Sequence, residues 1–198
     1  NEPVKHVRDY IDAGSDIITV HAEVCDESSF GEISDMLHSN QVGIGLAINP
    51  DTELPEWCYK FVELLDQIII MSVIPGKSGQ KFIESTHEKT KRIAKDLREH
   101  KFEGYIEADG GVNLENIGAC FEDGARAFVG GSAIIGQNDV RMIIKEFRNQ
   151  VLESRRKLLI KKAHDLGGME LVNSWIDLHI VGEKKDKLVQ IAKELGFQ

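Results

Sequence analysis

The sequence predicts an α/β protein built on a parallel sheet covered by helices. Three observations predict it. Five short apolar, β-branched runs alternate with stretches of helical spacing between residues 16 and 150. The runs are apolar at consecutive positions rather than at every second one, which is how strands buried on both faces read. Glycines gather toward the carboxyl side of the runs, Gly76 and Gly79 after the third, Gly110 and Gly111 after the fourth, Gly130 and Gly131 within the fifth. Parallel α/β architectures build their sites at that end of the sheet.

The elements follow in order. "EPVKHVRDYIDAG" (2–14) predicts an opening helix, with Pro3 at its start, where a missing N–H costs nothing, and Gly14 at its end. "DIITVHAE" (16–23) is the first strand, and helical spacing then continues to Asn40. "VGIGLAINP" (42–50) is the second strand, stopped at Asn49-Pro50, with an amphipathic helix expected from near Pro55. "QIIIMSVIP" (67–75) is the third, followed by a charged helix, "STHEKTKRIAKDLREH" (85–100). "YIEADGGV" (105–112) is the fourth, with a helix around "LENIGACFEDG" (114–124). "RAFVGGSAII" (126–135) is the fifth, and a long helix runs from about Val140. Past Lys157 the composition shifts to a helix, a Gly-Gly turn, a short strand "WIDLHIV" (175–181) and a terminal amphipathic helix. Two domains are therefore expected, residues 1–156 and an extension of unknown role over residues 157–198.

A chain of 198 residues suffices for one sizeable core and an appendage. Its formal net charge of −9 argues against nucleic acid or an anionic membrane as partner. No apolar run approaches the roughly 18 residues of a bilayer span, and no signal-peptide pattern is present. Cys25, Cys58 and Cys120 form no C-x-x-C pair and read as reduced thiols, so a cytoplasmic location is expected. The chain begins with Asn1 and reads as the middle of something longer.

The segments "DIITVHAE", "GLAINP", "IIIMSVIPGKSGQKFI", "IEADGGVN" and "FVGGSAII" together resemble the ribulose-phosphate 3-epimerase family of phosphate-binding barrels, in its order and at its spacing. The resemblance covers roughly residues 1–150. It implies a partial (β/α)8 TIM barrel, strands four to eight, with a C-terminal α/β extension. The family's first three strands carry a His-x-Asp pair and a further metal-binding histidine, and they have no counterpart here. Two smaller departures accompany this one. The family's Asn-Pro-Gly-Phe-Gly-Gly loop is Ile74-Pro75-Gly76-Lys77-Ser78-Gly79, and the valine of its Glu-Val-Asp-Gly-Gly is Ala108.

The implied activity interconverts D-ribulose 5-phosphate and D-xylulose 5-phosphate in the pentose phosphate pathway by metal-assisted proton transfer at C3. Inverting a carbon beside a ketone requires its proton to leave one face and return to the other, so an acid on each face suits it. A divalent metal (Zn, Fe, Mn or Co) would stabilise the enediolate between the two transfers. The resemblance makes Asp109 one of the acids and a metal ligand; the other reading is an aspartate opening a turn before Gly110. Backbone amides of Gly76, Ser78, Gly79, Gly110, Gly111, Gly131 and Ser132 would hold the phosphate. Met71 matches a methionine beside the substrate, or is a core residue. His21 matches a histidine near the site, or is a satisfied polar group at a strand end. Lys77 could add a charge contact, or is a solvated loop lysine.

The partner expected is a small sugar phosphate, with homo-oligomers possible through the open strand edges. Lacking a second acid, the chain as given is expected to be nearly inactive. Alternatives are a non-catalytic barrel remnant that binds a sugar phosphate or a partner chain, and a hexulose-phosphate epimerase. In the tail, Asp177 and His179 share a strand face and could offer a substitute ligand, or belong to an ordinary strand.

Overall fold

The structure, a computed structural model, describes residues 2–77 and 79–165. Ser78, Asp177 and His179 lie outside the described residues. The chain divides into two compact units, Asn1–Gln150 and Val151–Gln198. None of the described helices is long and apolar enough to cross a membrane.

The described residues alternate in the order α1 (Pro3–Asp12), β1 (Ile17–His21), α2 (Glu27–Ser39), β2 (Gly43–Ile48), β3 (Leu65–Met71), α3 (Thr86–Glu99), β4 (Tyr105–Asp109), α4 (Ile117–Asp123), β5 (Ala127–Val129) and α5 (Ser132–Ile135), then α6 (Val140–Asp165). The five strands form one sheet in the order β1-β2-β3-β4-β5, every neighbouring pair parallel. Among the described residues the sheet is open, with β1 and β5 at its edges.

One face of the sheet packs on the helices. Phe30, Ile33 and Leu37 of α2 are fully buried, at the three- and four-residue spacing of one helical stripe, and Ile93, Ala94 and Leu97 of α3 repeat the device. Ile18, Val20, Leu46, Ile48, Ile68, Ile70, Ile106 and Ala108 meet them from the strands. The start of α2 is fixed by a capping box, in which Asp26 Oδ1 accepts from Ser29 N at 2.8 Å and Asp26 N donates to Ser29 Oγ at 2.9 Å.

Two expectations are corrected. The helix expected from Pro55 is a single 3-10 turn, Glu56–Lys60. The next strand already starts at Leu65, and Trp57 and Phe61 both turn onto Phe30, with ring centroids 5.0 and 5.2 Å away. The fifth strand ends at Val129 rather than running to residue 135, so Gly130 and Gly131 follow the strand instead of lying within it. The Gly131 carbonyl accepts from the N–H groups of Ile134 and Ile135, which winds the chain into α5.

The other face is concave, and its register sets residues in layers. Thr19, Gly45, Gln67 and Tyr105 stand side by side on β1 to β4. Gln67 Nε2 donates to Thr19 Oγ1 at 2.5 Å, and Tyr105 Oη donates to Gln67 Oε1 at 2.6 Å. The bond from Gln67 passes over Gly45, where any side chain would strike both partners. One layer nearer the carboxyl end stand His21, Ala47, Ile69 and Glu107; beyond them Met71 pairs with Asp109 and Asp109 with Val129.

Candidate active site

A cavity of about 500 Å³ opens at the carboxyl end of this concave face. Its wall includes His21 from β1, Met71 from the end of β3, Gly76, Lys77 and Gly79 from the loop after β3, Asp109, Gly110 and Gly111 from β4 and its turn, and Gly131 and Ser132 after β5. Eight glycine, serine, methionine and aspartate positions singled out by sequence, with His21 beside them, thus surround one space. Lys77, exposed in its loop, lines it too.

Asp109 is the last residue of β4 and its backbone is held firmly. The carbonyl of Asp109 accepts from Ser72 N at 2.7 Å and from Ser72 Oγ at 3.0 Å, and the Gly110 carbonyl accepts from the same hydroxyl at 2.6 Å. Ser72 is itself buried. The turn beyond needs its two glycines. Gly110 and Gly111 have φ of +117° and +66°, where side chains are rarely accommodated. A Cβ on Gly110 would overlap Val73, and one on Gly111 would stand 2.5 Å from the amide nitrogen of Phe82. Asn116 closes the turn by donating from Nδ2 to the Gly111 carbonyl at 3.1 Å and accepting from Asn113 N at 2.8 Å.

The loop after β3 is pinned from one residue. Gln80 Nε2 donates to the carbonyls of Ile74 at 2.6 Å and Lys77 at 2.9 Å. The far wall is different in kind: at Gly131 a Cβ would meet nothing within 4 Å, so that position faces open space.

Burial pushes the Asp109 carboxyl above its ordinary pKa, and the charge of His21 opposes the shift. Glu107, two residues back on the same face, is also raised, by burial and then by Asp109. Among the described residues Asp109 is the carboxylate that lines the cavity. No three His, Cys, Asp or Glu side chains among the described residues come together as a metal-binding group.

A raised carboxyl pKa has a definite consequence for stability. The native state holds the proton more tightly than the unfolded chain, so the favourable contribution is present below the unfolded value, about 3.9, and is lost as pH rises through the folded one. At neutral pH the ionised group therefore weakens the fold. Asp109→Asn is expected to melt above the wild type at pH 7, and thermal melts at descending pH should show the gain vanishing near pH 4. A variant that melts lower at pH 7 would show that the charged form is the stabilised one.

Sequence reasoning missed Thr19, Gln67, Ser72, Gln80 and Glu107. Thr19 was within reach, because the two-residue period of "IITVH" puts it on the face of His21. Gln67 and Tyr105 become partners only through the register of β3 and β4. Ser72 and Gln80 act on backbone carbonyls, which leave no mark in a side-chain pattern.

Residues 1–135 match the model of the ribulose-phosphate 3 epimerase family. The ribulose-phosphate 3-epimerase of Escherichia coli is 37% identical over 145 residues, which is 73% of this chain and 63% of that protein. The enzyme of the same name from Bacillus subtilis is 36% identical over 148 residues, 74% of this chain and 67% of that protein. The chain thus spans 63% of the length of the first of these relatives. Among solved structures, 3-keto-L-gulonate-6-phosphate decarboxylase from Vibrio cholerae superimposes with a TM-score of 0.55 at 16% identity, covering 77% of this chain and 68% of that one, a likeness of fold alone.

Proposed function

The chain belongs to the ribulose-phosphate 3-epimerase family, and on that premise we propose that it serves the interconversion of D-ribulose 5-phosphate and D-xylulose 5-phosphate, with Asp109 moving the proton at C3. The observation that carries this reading is the convergence on one cavity of a half-buried carboxylate and three glycine-rich turns. The turns offer N–H groups without side chains, a cradle for a phosphate dianion. The carboxylate stands on the rigid end of a strand, where a reacting carbon can be held against it.

The proton chemistry follows from the side chain. The hydrogen on C3 is acidified by the neighbouring C2 ketone, and an ionised Asp109 takes it, leaving an enediolate. The carboxyl then holds that proton, while inversion requires a second acid to deliver a proton to the opposite face of the same carbon; in the reverse direction Asp109 delivers its own. Burial favours this exchange, because a carboxyl raised toward neutrality is a stronger base and still an acid. A divalent metal would take Asp109 as one ligand and supply charge to the enediolate oxygens. The described residues do not by themselves complete a set of ligands for it.

The open sheet favours a second reading, a chain that binds the sugar phosphate and turns it over slowly or not at all. Calorimetric titration with D-ribulose 5-phosphate, beside a coupled assay for D-xylulose 5-phosphate, separates the two. Binding with turnover supports the epimerase, binding without turnover supports the second reading, and no binding rejects both.

Gly131→Val is the clean probe of the phosphate end. A Cβ at this position meets no neighbour within 4 Å, so the fold is expected to be kept while the cavity is narrowed. The affinity for D-ribulose 5-phosphate is expected to fall by about tenfold or more, with Tm nearly unchanged. Unchanged affinity in the folded variant would remove Gly131 from the site. Gly110→Val cannot serve for this purpose, since its side chain would overlap Val73.

The three cysteines are free, and burial pushes the Cys58 and Cys120 thiols up to about 12, which makes them unreactive.

A further inference from the structure

We propose that Glu23 is a positioning residue, which holds the His21 ring with its proton on Nδ1 and so presents Nε2 to the cavity as an acceptor for a hydroxyl of the sugar phosphate. The hydroxyl contact rests on the reading of the cavity given above; the state of the ring does not.

The argument starts from the two oxygens of Glu23. Its Oε2 lies 3.2 Å from His21 Nδ1, and its Oε1 accepts from Asn49 N at 2.7 Å. An ionised carboxylate only accepts, so the nitrogen that faces it must carry the proton. In a neutral imidazole the other nitrogen then holds a lone pair. A histidine free in water favours the opposite tautomer, so the arrangement is imposed by the fold. Although burial alone would raise the Glu23 pKa, bonds from the Thr52 side chain, from Asn49 N–H and from the His21 ring bring it below its ordinary value. It is therefore an anion wherever His21 is neutral.

Glu23 is in turn held in place. The 3-10 turn Ala22–Val24 directly follows β1, so Glu23 stands beside the residue that ends the strand. Asn49 begins the loop after β2, and that loop is clamped from outside by Lys89 of α3. The buried Lys89 ammonium donates to the carbonyls of Asn49, Pro50 and Thr52. Moving the loop would strand this charge, so Asn49 N–H is a fixed point, and Glu23 is fixed to it. A chain of contacts thus runs from a helix on the outer layer to the ring of His21, a residue that lines the cavity. His21 and Asp109 both line that cavity, on strands at different positions of the sheet, so a sugar held between them meets an acceptor on one side and the carboxylate on the other.

Glu23→Gln tests the assignment, because it keeps size and shape but leaves one acceptor where there were two. Asn49 N–H can only donate, so the glutamine oxygen goes to it and the amide NH2 faces His21 Nδ1. The ring must then move its proton to Nε2. Long-range proton–nitrogen NMR on the labelled 198-residue chain at about pH 8, above the ordinary histidine pKa, reads the tautomer, with His21→Gln identifying the signal. The wild type is expected to show protonated Nδ1 at His21, and Glu23→Gln protonated Nε2. Protonated Nε2 in the wild type, or protonated Nδ1 retained in Glu23→Gln, would overturn the proposal.

Calorimetry tests the ligand contact. Glu23→Gln is expected to weaken binding of D-ribulose 5-phosphate about tenfold, to leave inorganic phosphate unaffected, and to cause no further loss in a His21→Ala background. An equal loss in that background would mean that Glu23 acts through the Asn49 loop, and the positioning role would fall. A wild type that binds neither ligand would overturn the sugar-phosphate reading and the hydroxyl contact with it, while the NMR result alone decides whether Glu23 sets the ring.

Discussion

Asp109→Asn lowers the turnover of D-ribulose 5-phosphate by about a thousandfold. The measurement is made in a chimaera whose sheet is closed by the N-terminal strands of a curated relative, so that the five strands described here sit in a complete barrel. Asparagine matches aspartate in shape, and the hydrogen bonds from Ser72 to the backbone carbonyls of residues 109 and 110 do not involve the side chain. The geometry of the turn is therefore kept, and what is lost is the capacity to take a proton from carbon and, in the reverse direction, to deliver one. KM should move little, because the glycine turns that would grip the phosphate are untouched. A variant with near-normal kcat would remove Asp109 from the proton path. A variant with normal kcat and a greatly raised KM would make it a binding residue.

Gly111→Val costs the fold about 3–5 kcal/mol. Two separate penalties add. The backbone at residue 111 has φ +66°, and a β-branched side chain is strained there whatever the space around it. The new Cβ would also stand 2.5 Å from Phe82 N and 2.8 Å from Phe82 Cα, both backbone atoms that cannot step aside as a side-chain end could. Thermal unfolding followed by circular dichroism should show Tm lower by about 10 °C or more, or no cooperative transition at all. Gly131→Val is the internal control, being the same substitution at the same cavity with free space around it. Equal melting of the two variants would mean that the contact between the β4 turn and the segment at Phe82 is not rigid.

The elements themselves were legible because their signals are local. The consecutive apolar residues of "QIIIM" report a strand covered on both faces, and the three- and four-residue spacing of Phe30, Ile33 and Leu37 reports a helix with one buried stripe. The two errors came where a local signal was overruled. Trp57 and Phe61 have helical spacing, yet Phe30 draws both rings inward and the early start of β3 leaves no room for more than one 3-10 turn. "RAFVGGSAII" is apolar throughout, yet the Gly131 carbonyl captures two N–H groups ahead of it and ends the strand.

The sequence by itself determined the fold class, the order of strands and helices, and the glycine turns at the carboxyl end of the sheet, because each depends on residues a few positions apart. It also named Asp109, His21, Met71 and the glycines as candidates. Tertiary structure alone decided which of them share one cavity, that Gln67 bridges Thr19 and Tyr105 across Gly45, that Ser72 holds the backbone under Asp109, and that a lysine on a charged helix is buried against three carbonyls. Those facts depend on strand register and on helix-to-loop contacts between residues far apart in the chain. A shift of one residue in register would turn every side chain of a strand to the other face while leaving its local pattern unchanged.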